Sequence, residues 1–192
     1  MKTLSLAFIL VLLSCGQATS DLKELEKQLA EEQEVKLPEL QNGFKAHQTD
    51  SYWISYPEDW TLDTMENDGL VFSIFSPLVE TDDVFQENIN MATEDMPNNS
   101  ITPKYYAESA LKMIEASIPG FKIVENEGVK GKYGDYHKLV YTGDMSGLTL
   151  QWKQFVQVKN SKAYILTFVS TTESFKEFDS VTEKMMSSFV LK

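Results

Sequence analysis

Residues 148–158 place Leu148, Leu150, Trp152, Gln154, Val156 and Val158 at every second position, an alternation that only an extended strand can satisfy. Lys159-Asn160-Ser161-Lys162 then reverses the chain into a second strand over 163–169. One face of such a hairpin belongs to a core and the other needs a helix as cover. The rest of the chain must therefore supply further strands and helical layers.

Those elements are readable in order. Tyr52-Trp53-Ile54-Ser55-Tyr56 predicts a strand stopped by Pro57, and 70–75 predicts another, ended by Ser76-Pro77. Ile89, Met91 and Thr93 alternate with polar or small neighbours and predict a third. A helix follows, with Thr102 as cap, Pro103 in its first turn, and Ala107, Ala110, Leu111, Ile114 and Ile118 on one face; Pro119-Gly120 ends it. Residues 121–124 read as a short strand, Gly128, Gly131 and Gly134 as turns, 135–142 as a strand and 143–147 as a turn. Ser170-Thr171-Thr172-Glu173 has capping-box spacing ahead of Phe175, Phe178, Val181, Met185 and Phe189, which repeat at helical intervals. Two helices inside a run of strands do not give strict strand–helix alternation. The fold class is α+β, a mainly antiparallel sheet covered by helices.

The N-terminus carries a different signal. After Lys2 the residues 4–13 are apolar and end at Ser14-Cys15-Gly16. A run of about 10 residues is too short to span a bilayer, which needs roughly 20, and it reads as a secretory signal. Cys15 is the single cysteine of the chain and has no disulfide partner. Leu12-Leu13-Ser14-Cys15 resembles the lipobox of bacterial lipoproteins, which implies that Cys15 becomes a lipid-modified first residue. Residues 1–14 are then signal peptide, 15–50 a tether, partly helical through Leu22, Leu25 and Leu29, and 51–192 the globular domain. The expected location is the bacterial cell envelope, outside the cytoplasm, with the membrane as a partner through the anchor.

Net charge narrows the remaining possibilities. The 192 residues contain 17 Lys, no Arg and 29 acids, a formal charge of −12. Nucleic acids and anionic lipid surfaces require basic footprints that this chain lacks. No nucleic-acid partner is expected.

The opening of the domain has a family likeness. Tyr52-Trp53-Ile54-Ser55-Tyr56-Pro57-Glu58-Asp59-Trp60, followed by Gly69-Leu70-Val71-Phe72-Ser73-Ile74, resembles the start of PsbP-like domains of the Mog1/PsbP-like group, which includes DcrB-type bacterial lipoproteins. The element order continues the resemblance over roughly 52–191. It implies an α/β/α sandwich with the sheet between helices and a role in binding or assembly. No catalytic residue transfers, because the group has no shared active site.

Candidate chemistry is sparse. His47 falls in the tether and His137 in mid-strand, and neither has a triad around it. No phosphate loop or other cofactor motif is present, so no cofactor is expected. Tyr56 and Trp60 are candidates for ligand stacking, although a turn residue pair of this kind more commonly buries itself over a sheet end. Tyr105 and Tyr106, at the start of the first helix, are candidates for an exposed binding patch, as are Trp152 and Phe155 on opposite faces of the long strand; burial of both would remove that last pair. Asp82, Asp83 and Glu87, with Glu80 nearby and Glu94 and Asp95 further on, are weak candidates for calcium or manganese, though their spacing matches no EF-hand loop. The leading expectation is a non-enzymatic, membrane-anchored module that binds an envelope protein; a metal-binding protein or metal-assisted enzyme is the alternative.

Overall fold

The computed structural model describes residues 37–65, 69–78 and 85–192. The signal and lipobox expectations, Cys15, the helical stripe of the tether, and Glu80, Asp82 and Asp83 lie outside the described residues.

Residues 37–192 form one compact unit. Its strands are β1 (Phe44–Gln48), β2 (Tyr52–Pro57), β3 (Thr61–Asp63), β4 (Leu70–Phe75), β5 (Asn88–Asp95), β6 (Lys122–Gly131), β7 (Gly134–Met145), β8 (Leu148–Lys159), β9 (Lys162–Thr171) and β10 (Val190–Leu191). The helices are α1 (Pro103–Ser117), between β5 and β6, and α2 (Phe175–Ser187), between β9 and β10. Seven strands make an antiparallel sheet in the order β3-β4-β5-β9-β8-β7-β6, and β1-β2-β10 make a second, three-stranded one. The fold is α+β, as the sequence predicts.

The β8–β9 hairpin sits centrally and runs in register from Leu150 opposite Thr171 to Lys159 opposite Lys162. Asn160 and Ser161 both take positive φ, the two-residue turn geometry that matches strand twist. Two apolar cores occupy the two faces of the large sheet. On one face Phe72, Ile74, Ile89, Met91, Phe155, Leu166 and Phe168 meet α2 and the small sheet through Met185, Met186, Tyr52, Ile54 and Phe189. On the other, Leu139, Tyr141, Leu150, Trp152 and Val156 meet α1 through Ala107 and the half-buried Leu111, Ile114 and Ile118. The helix face predicted from sequence is thus the face that docks, and the Thr102 hydroxyl accepts from the Tyr105 amide as its cap.

Several boundaries differ from the sequence reading. The tether was expected to reach residue 50, yet Phe44–Gln48 is a strand paired with β2, with Phe44 packed on the core. Phe-Lys-Ala-His-Gln has too little alternation to announce a strand; the neighbour β2 supplies its hydrogen bonds. The strands β3 and β10 are equally silent in sequence, at three and two residues. Gly128 is not a turn but lies within β6, opposite His137, and the turn falls between Gly131 and Gly134. The 143–147 turn contracts to Ser146-Gly147, because Asp144 and Met145 continue β7. The capping box does not form. Ser170 is buried in β9, α2 starts after Ser174, and the Ser174 amide is bonded by the Thr171 hydroxyl.

Candidate functional site

The sequence-predicted residues do not converge on one site. Tyr56 and Trp60 are buried: Tyr56 carries the Lys45 ammonium 5.0 Å above its ring, and Trp60 meets Phe178 edge-on at 6.0 Å. Pro57 closes β2 and the Trp60 amide bonds back to the Pro57 carbonyl, so this turn seats both aromatics in the core. Neither offers a ring face to a ligand. Trp152 and Phe155 are 8% and 2% exposed, the outcome that removes them as surface donors.

The two tyrosines of α1 separate. Tyr105 is 61% exposed and projects outward. Tyr106 packs against the α1-side core, and its hydroxyl donates to the Glu94 carboxylate at 2.6 Å. Burial, then the bond to Glu94 and its charge, push the Tyr106 hydroxyl well above the ordinary phenol range.

The acidic candidates are committed elsewhere where they are described. Glu87 is a buried carboxylate on the α2 side of the sheet, and it accepts a hydrogen bond from the Ser174 hydroxyl at 2.5 Å. It sits where α2 begins, so the positive end of the helix dipole faces it. That placement corrects its reading as part of a solvated acidic loop: Glu87 is buried at the helix start. Asp95 forms a surface pair with Lys162 at 3.2 Å. Among the described residues no three His, Cys, Asp or Glu side chains converge as a metal cluster.

The sequence did not flag Lys153. Its position on β8 points it to the α2 face, where it is 1% exposed and its ammonium lies 2.9 Å from Asp179 and 3.0 Å from Glu183, both on α2. The rings of Phe168 and Phe175 flank it at 5.8 and 5.9 Å. This cluster fixes α2 to the sheet. The one available sequence signal was the period-two alternation itself, which put a lysine on a face that had to be covered.

A cavity of about 110 Å³ lies under the β6–β7 turn, where Gly131 and Gly134 face each other without side chains and Tyr136, Gln157, Met186 and Phe189 form the walls. Ligand pockets typically enclose about 300–1,000 Å³, so this space suits a few waters rather than a metabolite. Lys130 at its rim is already paired with Asp135.

No protein-family model matches the chain, and no curated protein matches it by sequence. Solved structures do. LpqN of Mycobacterium tuberculosis, described as involved in cell envelope biogenesis, aligns with a TM-score of 0.57 at 13% identity, over 79% of this chain and 92% of its own. Cyanobacterial PsbP (CyanoP) of Synechocystis aligns with a TM-score of 0.55 at 15% identity, over 81% of this chain and 99% of its own. The fold is PsbP-like. A Pseudomonas aeruginosa protein of unknown function, PA94, shares it with a TM-score of 0.53 at 13% identity, over 76% and 95%. At these identities the likeness concerns architecture alone. The PsbP-like fold here lends two-sided cover to one sheet. Among the described residues no helix is long and apolar enough to cross a membrane.

Proposed function

We propose that this protein is a bacterial envelope lipoprotein, held to a membrane by lipid on Cys15, whose PsbP-like domain binds or helps assemble another envelope component without turning over a substrate. The observation that carries this reading is the single cysteine placed at the end of a short apolar run, in a chain of net charge −12. A domain so acidic gains little from anionic headgroups, and acyl chains contribute about 0.8 kcal/mol per buried methylene, so the anchor performs the attachment. Supporting it, the fold is one that LpqN, a protein of envelope biogenesis, also uses. Tyr105 on α1 is the aromatic of the predicted set that remains free to meet a partner.

The test compares native protein with Cys15→Ala by intact mass, membrane fractionation and crosslinking. Acylated, membrane-bound wild type and a soluble variant, with defined envelope proteins crosslinked to the wild type, is the expected result. Unacylated and soluble protein in both cases overturns the anchor; an anchored protein that crosslinks to no neighbour overturns the binding role.

A further inference from the structure

The two helices are attached by different means. α2 buries Thr182, Met185 and Met186 and is pinned by the Lys153 ion pairs. α1 fully buries only Ala107. Beneath the N-terminal half of α1 lies His137, which is 2% exposed. Its Nε2 is 2.6 Å from Asn126 Oδ1, and because an amide oxygen only accepts, Nε2 carries the ring proton. Nδ1 is then a buried acceptor, and it has no hydrogen-bond partner.

The surroundings give a second proton little support. From α1, Glu108 and Lys104 act on the ring in opposite senses, and they pair with each other at 3.7 Å. From β6, Glu127 acts weakly, while Gly128, directly opposite His137, contributes no side chain and leaves open space. The β8 neighbour is Val156, which is uncharged. On its own strand Lys138 alternates to the other face and pairs with Glu125 at 2.7 Å. A proton on Nδ1 therefore places a cation next to Leu139 and Val156 with no dedicated counter-ion.

We propose that His137 makes the docking of α1 pH-sensitive: protonation of its buried Nδ1 favours a state in which the N-terminal half of α1 lifts from the sheet. The proton comes from solvent, and the lifted state lets water solvate the imidazolium. The far end of α1 stays pinned, since Ile118 sits on Gly143 and the Asp144 amide bonds the Pro119 carbonyl, so the movement turns about that end. The Tyr106–Glu94 bond breaks, and the apolar face formed by Leu139, Trp152 and Val156 is uncovered. Burial holds the docked imidazole below its ordinary value of 6.5. The lifted fraction accordingly grows as pH falls through 6.5, by up to about tenfold per pH unit for one proton.

Hydrogen–deuterium exchange of the full chain tests this, expressed as protection relative to an unstructured chain at the same pH. Between about pH 7 and about pH 5.5, protection over 103–111 is expected to drop by about tenfold while staying below that of α2, since α1 lifts without global unfolding. In His137→Gln the drop disappears. A second readout needs no variant: because the docked majority resists the proton, the ring protons of His137 titrate below 6.5, at lower pH than the first loss of α1 protection. Unchanged α1 protection, α1 protection equal to that of α2 at both pH values, the same loss in His137→Gln, or a ring that titrates at or above 6.5 each overturns the proposal.

Discussion

The Ser174 hydroxyl donates to the Glu87 carboxylate at 2.5 Å across 87 residues of sequence, joining the start of β5 to the start of α2. The same hydroxyl lies 2.9 Å from the Thr171 hydroxyl, so the end of β9 enters the same network. A buried carboxylate placed at a helix N-terminus replaces the side-chain cap that Ser174 does not make.

Removing one member of that pair exposes its worth. Ser174→Ala leaves the buried Glu87 carboxylate short of a donor and is expected to destabilise by about 1–3 kcal/mol. A double-mutant cycle with Glu87→Gln in urea denaturation should return a positive coupling between the two. Additive single effects would show that the bond contributes nothing.

The Lys153 cluster carries an asymmetric expectation. Its acids are half-exposed and remain solvated if the ammonium is lost, whereas the ammonium is enclosed. Asp179→Asn with Glu183→Gln strands a buried charge and should cost about 3–5 kcal/mol, while Lys153→Met, which keeps the volume and removes the charge, should lie within about 1 kcal/mol of wild type or above it. Equal losses in both variants would contradict the asymmetry.

Two glycines distinguish space from contact. A Cβ on Gly143 would stand 2.2 Å from Ile118 Cγ2, so Gly143→Ala is expected to cost about 1–3 kcal/mol, partly restored by Ile118→Ala. A Cβ on Gly128 meets nothing within 4 Å, so Gly128→Ala should stabilise by about 0.4–1 kcal/mol by restricting the unfolded chain. Thermal unfolding of the two variants measures both signs.

Stability should also fall on mild acidification. Burial lowers the imidazole of His47, set between Tyr52 and Phe72, as well as that of His137. Unfolded histidines take up protons near pH 6.5 while the folded ones resist, so the unfolded state binds more protons and stability drops as pH falls through 6.5, levelling below the folded values. Urea midpoints at about pH 7.5 and about pH 5.5 should differ in wild type, and less so in a His47→Gln, His137→Gln double variant.

Local rules acted wherever one element satisfied its own requirements. Alternation from Leu148 onward, the Asn160-Ser161 reversal, the Thr102 cap and the Pro119-Gly120 stop all appear in the structure as the sequence implies, because strand period, turn conformation and helix capping depend on neighbours a few residues apart. The sequence by itself therefore determined the α+β class, the central hairpin and both helices. Tertiary structure alone decided the rest. β1 and β10 exist because β2 offers both its edges, Glu87 became a helix-start partner because the sheet end brought it under Ser174, and Lys153 became an anchor because α2 crossed above it. The Glu87 and Lys153 contacts join residues distant along the chain, and burial seated Tyr56 and Trp60 over the sheet end, as such a turn pair commonly does, and removed Trp152 and Phe155 as surface donors.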